Sequence, residues 1–340
     1  MIMKKKFLLT IIATLMVTCG TFAQNKLVAT LKHGDSTTIF YGGSALQQAH
    51  DLAEDGDLIT LSSGVFSNTT LSKPIIIRGA SCVRDSSEKM EATKIALLTI
   101  ANNTSNLSFE GIDFLDIRYN KGATISDIHF DKCKITNLEG GDDASLSNWS
   151  FLHSIVIRIY INTSAKMYFT NSIIMFCEIG KESAVMNFYN CFIRISHPNN
   201  YRTGLPGGMA YNLFQNSIIC NNNGWPEFPN TVTASNNVGI NKVIFSYVAD
   251  ADSNVTLEGV EGYNIFKTYT GGDYTENETF ELTDEAKAQY LGSDGTQVGI
   301  YGGDYPFNMN LSYPQFTKAT VASKAENGKL SVNIELNGGN

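Results

Sequence analysis

Proline is scarce in this 340-residue chain, 7 in all, and only 17% of the residues are charged, against 43% apolar. A composition of that kind is neither collagen nor a disordered linker. Basic residues are outnumbered, 25 Lys and Arg against 33 Asp and Glu, giving a formal charge of −8. Such a surface repels polyanions at long range, which argues against a nucleic-acid reader and means that any anionic ligand needs a local basic patch. Long apolar runs are missing outside the first residues, so no transmembrane segment is expected in the remainder. There is no Cys-x-x-Cys pair and no His/Cys spacing suited to zinc.

What is present begins with Lys4, Lys5 and Lys6, an apolar stretch from Phe7 to Val17, and small residues Thr21 and Ala23 placed like a signal-peptidase site. Residues 1–23 therefore read as an export signal, with a destination in the periplasm, at the cell surface or in the medium. Val17 and Thr18 match a lipobox poorly, so Cys19 is read as part of the leader and not as a lipid anchor. Beyond it, Cys82, Cys133, Cys177, Cys191 and Cys220 read as buried small hydrophobes. A Cys177–Cys191 disulfide stays open.

Six segments share one template: Phe109-Glu-Gly-Ile-Asp-Phe114, Phe130-Asp-Lys-Cys-Lys-Ile135, Phe151-Leu-His-Ser-Ile-Val156, Phe169-Thr-Asn-Ser-Ile-Ile174, Phe188-Tyr-Asn-Cys-Phe-Ile193 and Phe214-Gln-Asn-Ser-Ile-Ile219. They start 21, 21, 18, 19 and 26 residues apart. The first place is an inward Phe, the third a turn residue, the fourth Ser or Cys in all copies but the first, and the sixth inward and apolar. Alternation around the turn is the period of strands. Strands this short bury too little alone, so the copies must stack about 4.8 Å apart around a shared core. Asparagine at the turn tolerates a left-handed backbone, and stacked amides are expected to bond from rung to rung.

Both ends read as caps. Ser44-Ala-Leu-Gln47 has the capping-box pattern, and Leu46, Ala49 and Leu52 form one apolar helical stripe stopped by Gly56. Phe316 to Val321 and Lys329 to Leu336 alternate around Glu326-Asn-Gly328, the pattern of a hairpin lying on the coil or forming a short C-terminal appendage. The order Ser44-Ala-Leu-Gln-Gln-Ala49, Gly56-Asp-Leu-Ile-Thr-Leu61, Gly64-Val-Phe66 and Lys73-Pro-Ile-Ile-Ile-Arg-Gly79 resembles the N-terminal signature of right-handed parallel β-helix proteins of the pectate-lyase-like superfamily. Asp294-Gly-Thr-Gln-Val-Gly-Ile-Tyr-Gly-Gly303 resembles the closing segment of secreted bacterial members. With the phenylalanine repeat, the resemblance covers residues from about 36 to 305 and implies an all-β, single-stranded right-handed parallel β-helix with an N-terminal capping helix; the chain is accordingly read as a β-helix domain over residues 24–305 followed by the hairpin tail over 306–340. It implies no single activity, since that superfamily includes lyases, hydrolases, epimerases, adhesins and inert members.

The polygalacturonase carboxylate elements and the pectate lyase and pectin methylesterase motifs are not reproduced. Cys177-Glu-Ile-Gly-Lys-Glu-Ser183 with Arg202 resembles part of the alginate-lyase and chondroitinase-B family. That resemblance implies Ca2+ on Glu178 and Glu182, Lys181 as catalytic base and Arg202 as its partner. The family's Lys-Ser and Arg-His-Gly pairs are replaced by Lys181-Glu182 and Arg202-Thr203. Asp250, Asp252 and Asn254 mimic the start of a calcium loop, but Val255 stands where glycine is required.

The rungs swell between Phe188 and Phe214 and again beyond it. These insertions carry His197, Asn199, Asn200, Tyr201 and Arg202, then Trp225, Glu227 and Phe228. Insertions leaving at matching places on neighbouring rungs emerge on one side and can wall a groove. Tyr201, Trp225 and Phe228 offer faces for sugar rings, and the polar residues can bond hydroxyls or a carboxylate. The leading expectation is an exported β-helix that engages extracellular polysaccharide on a lateral groove, without a complete catalytic set. The alternatives are a calcium-dependent polysaccharide lyase working by β-elimination and a structural or adhesive surface rod.

Overall fold

The computed structural model describes residues 27–83, 91–179, 184–195, 212–221, 232–241, 243, 245, 248, 251–313, 315–321, 329 and 332–337. The template sets the fold. Its leading phenylalanines are Cα partners from rung to rung, all at most 2% exposed. Their rings stack nearly parallel, with centroids 4.6 to 5.1 Å apart, which is the spacing of neighbouring strands. At the third place the backbone turns left-handed in every copy, with φ from 44° at Asn171 to 70° at Gly111. That turn carries the chain from one sheet to another.

The first sheet runs Ser36–Tyr41, Val28–His33, Leu58–Leu61, Ile76–Arg78, Ser105–Glu110, Thr124–Asp131, Ser145–Leu152, Ser164–Thr170, Ala184–Tyr189, Leu213–Gln215, Thr233–Ser235. From Leu58–Leu61 onward its pairings are parallel. The second sheet, parallel throughout, runs from Gly64–Phe66 through Thr93–Ile100, Asp113–Tyr119, Lys134–Gly140, Ile155–Ile161, Ile173–Ile174, Phe192–Ile195, Ile218–Asn221 and Val238–Ile240 to Val255–Leu257. Thr69–Leu71 and Cys177–Ile179 add to it at the side. The chain is thus a parallel β-helix, and a further rung, Ala234-Ser-Asn-Asn-Val-Gly239, stacks on the Phe214 copy.

The bonds between rungs sit at the fourth place, not on the third-place asparagines. A left-handed residue throws its side chain out of the corner, whereas the next side chain points into the coil. There the N–H of Ser154 donates to Ser172 Oγ (3.0 Å), that of Cys191 to Ser217 Oγ (3.0 Å), and that of Ser217 to Asn237 Oδ1 (2.9 Å). Asn237 N–H then donates to Asn254 Oδ1 (3.0 Å), so Asn254 ends this ladder. Each serine hydroxyl donates to the carbonyl two residues earlier, as Ser172 does to Thr170 at 2.8 Å. The five cysteines among the described residues are buried and form no disulfide with one another, Cys177 and Cys191 included. Burial pushes the Cys191 thiol up to about 12.

The N-terminal end is closed by α1 (Ala45–Leu52), which buries Ala45, Leu46, Ala49 and His50. Leu52 is 59% exposed, so the apolar stripe is one residue out of register with the expected one. The capping box is also absent, because its glutamine is drawn elsewhere: Gln47 bridges the Thr70 backbone, accepting its N–H at 2.8 Å and donating to its carbonyl at 3.2 Å. At the other end Lys73 Nζ donates to the carbonyls of His50, Asp51 and Ala53 at 2.7 to 2.8 Å. This cation satisfies the end of the helix.

His50 Nε2 accepts the Ser72 N–H at 3.0 Å, and burial pulls the imidazole below its ordinary 6.5. As pH falls through that value the unfolded chain takes up the proton first, so stability is expected to fall. His33, raised by its hydrogen bond to Asp57, has the opposite sign: its contribution is present below 6.5 and lost as pH rises through the raised value. In a His33→Asn background the melting temperature should be lower at pH 5.5 than at 7.5, and adding His50→Gln should shrink the difference. An unchanged difference would remove His50 as its source.

A second core lies outside the coil. The fifth template place points outward and is charged in the first two copies, Asp113 and Lys134, but apolar in Ile155, Ile173, Phe192 and Ile218. Val238 extends that row. Tyr263, Phe266, Tyr269, Phe280, Leu282, Ala286 of α2 (Asp284–Gln289), Val298 and Ile300 cover these residues. The C-terminal strands Gln315–Val321 and Val332–Asn337 pair antiparallel, as the alternation predicted.

Candidate functional site

Of the coil's lateral sides, two are occupied. The outward row of the second sheet is covered by the second core. The left-handed corner is covered by a strap, residues 293–313: Ser293 N–H donates to Asn216 Oδ1 (2.9 Å), Asn171 Nδ2 donates to the carbonyls of Ile300 (2.9 Å) and Gly302 (2.8 Å), and Ser312 N–H donates to Glu110 Oε1 (3.0 Å). His153 Nε2 lies 3.0 Å from the Tyr305 carbonyl. Among the described residues nothing covers the outer face of the first sheet, and Ser147, Asn148 and Lys166 are exposed along it.

That face is built by the residue just before each template phenylalanine. Ser108, His129, Ser150, Tyr168, Asn187 and Leu213 are Cα partners in successive rungs. Because Phe points inward, its predecessor must point outward. His129 Nδ1 and Ser150 Oγ are 2.7 Å apart. Lys166 Nζ lies 5.7 Å from the centre of the Tyr168 ring. Asn148 Nδ2 donates to Asp127 Oδ1 at 2.6 Å. Partial burial raises the Tyr189 phenol, and the neighbouring Tyr168 raises it further. The result is a face with two neighbouring phenols, Tyr168 and Tyr189, fringed by amide, hydroxyl and ammonium groups. His129 and Ser150 are a base and a hydroxyl in contact, but among the described residues no carboxylate bonds the other imidazole nitrogen, the third member that nucleophile activation calls for.

The edge of this face, where the second sheet hands the chain back to the first, is where the insertions depart and return. Ile195 and Asn221, the last described residues before residues 196–211 and 222–231, are Cα partners. Leu213 and Thr233, just past their ends, are partners as well. Both insertions therefore start and finish at matching places on neighbouring rungs. His197, Asn199, Asn200, Tyr201, Arg202, Trp225, Glu227 and Phe228 belong to them and lie outside the described residues. Lys181 and Glu182 lie outside as well, between Ile179 and Ala184. Glu178 sits in Cys177–Ile179 as the Cα partner of Tyr160, which continues the row of Arg118 and Glu139. Among the described residues no group of three or more His, Cys, Asp or Glu is placed to hold a metal ion.

His129, Ser150, Tyr168 and Asn187 belong to no motif of their own in the sequence and were not among the expected site residues. Their signal was the template itself, whose leading residue fixes the direction of the one before it. No protein-family model, curated protein or solved structure matches this chain.

Proposed function

We propose that this protein is an exported β-helix, related to the pectate-lyase-like superfamily, that holds an extracellular polysaccharide on the outer face of its first sheet. The observation that carries the reading is the paired exit and return of two long insertions beside a face bearing Tyr168, Tyr189, Asn187 and Lys166. Rings of this kind stack on the apolar faces of sugars, and the amide and ammonium groups suit their hydroxyls. Strands about 4.8 Å apart supply such contacts in rows, so a chain polymer gains with each added residue.

The test is binding to a panel of plant, algal and animal polysaccharides. Tyr168→Ala is expected to weaken binding at least tenfold, about 1.4 kcal/mol, and Trp225→Ala or Tyr201→Ala to weaken it as well, with the fold intact by circular dichroism. Binding that survives all three substitutions, or no binding across the panel, would sink the reading and favour a structural rod. An unsaturated, ultraviolet-absorbing product that requires calcium and disappears in Lys181→Ala would replace binding by β-elimination.

A further inference from the structure

A cavity of about 410 Å³ lies on the other broad side of the coil, between the second sheet and the segment around Asp273. Its origin is a break in alternation. Inward residues of the second sheet are spaced three apart at one bend, as in Ile135 and Leu138 or Val156 and Ile159, all fully buried. Two residues per rung are thereby turned outward: Thr136-Asn137, Ile157-Arg158 and Met175-Phe176, with Asn137 and Arg158 as Cα partners. Arg194 joins them from the following rung, and Asp273 with Tyr274 closes the far side.

The charges in this cavity are unusual for an acidic chain. Arg158 is exposed, its guanidinium 5.0 Å from the centre of the Phe176 ring. The Arg194 side chain is only 16% exposed, and its partner Asp273, 2.5 Å away, is 93% exposed. Arg194 Nε is buried with no hydrogen-bond partner. Leaving such a donor unmet is costly, and a planar oxyanion satisfies a guanidinium best through two parallel bonds. Asp273 reaches it from the solvent side, on a turn that begins at Gly271 (φ 100°) and is pinned where the Tyr269 hydroxyl donates to the Gly272 carbonyl at 2.9 Å.

We propose that this cavity is a binding site, separate from the outer face of the first sheet, for a small ligand that carries a carboxylate on a six-membered ring. The carboxylate is taken by Arg194 and Arg158, the ring lies against Phe176 and Tyr274, and Asn137 meets its polar edge. Asp273 is the internal carboxylate that the ligand displaces. The site supplies the local basic patch that the overall charge demands of any anionic ligand. A uronic-acid sugar and an aromatic acid share this chemistry.

The experiment is calorimetric titration of the whole protein with glucuronate, glucose, benzoate and benzyl alcohol. At least one carboxylate is expected to bind, with its neutral counterpart tenfold weaker or worse, and the comparison of glucuronate with benzoate identifies the source. Arg158→Gln, at an exposed position, is expected to weaken that binding at least tenfold. Asp273→Asn is expected to tighten it several-fold by removing the competitor. The proposal is overturned if neither carboxylate binds to the wild-type chain or to Asp273→Asn. It is equally overturned if the neutral compounds bind as well as the acids, or if folded Arg158→Gln binds like the wild type.

Discussion

Phe151→Ala is expected to lower the free energy of unfolding by about 3–5 kcal/mol. The ring is 1% exposed and stacks between Phe130 at 5.0 Å and Phe169 at 4.6 Å. Truncation removes its own burial, opens a void, and strips each neighbour of one stacked face. In a solenoid each rung touches only the next, so a gap in the middle weakens the interface between two halves. Urea unfolding is therefore expected to lose cooperativity and to show two transitions. A Phe151→Ala chain that unfolds in one step with less than about 1 kcal/mol lost, well below the usual cost of such a truncation, would show that the aromatic stack does not hold the coil together.

The coil was legible because its determinants are local and repeated. An inward phenylalanine, a residue able to turn left-handed and an inward aliphatic recur at nearly constant spacing, and each states its own direction. Where one determinant was substituted, legibility failed: the rung at Ala234 has the asparagines, Asn236 with φ 54° and Asn237 in the ladder, but no phenylalanine to announce it. The second core was written in the fifth place, which changes from Asp113 and Lys134 to Ile155, Ile173 and Phe192. An outward residue that turns apolar on successive rungs must be covered, yet what covers it lies about a hundred residues further along the chain, and no local pattern names it. The arginine cavity was hidden for the same reason, since Arg158, Arg194 and Asp273 meet only after stacking and wrapping. The insertions were visible as excess length, and their matching exits follow from the register of the rungs that bear them.

Asn171 joins coil and strap, and its replacement separates two energies that the third template place combines. The side chain is 2% exposed, its amide donates to the carbonyls of Ile300 and Gly302, and its φ is 44°. Asn171→Ala loses both hydrogen bonds, each worth about 1 kcal/mol or more when the carbonyls are left dry, and adds left-handed strain of about 1–2 kcal/mol. A total of about 3 kcal/mol is expected. Asn171→Gly loses the same bonds without the strain, so it should be the milder of the two substitutions by roughly 1 kcal/mol. Both should speed amide exchange at Gly302 and Phe307, whose N–H groups bond Gly299 and Ile300 within the strap, while leaving the rungs below Phe130 protected. Equal stability of the two variants would show that the asparagine is not there for its backbone. Unchanged exchange in the strap, with stability lost in the coil alone, would show that the strap rests on Asn216, His153 and Glu110 and that Asn171 serves only its own rung.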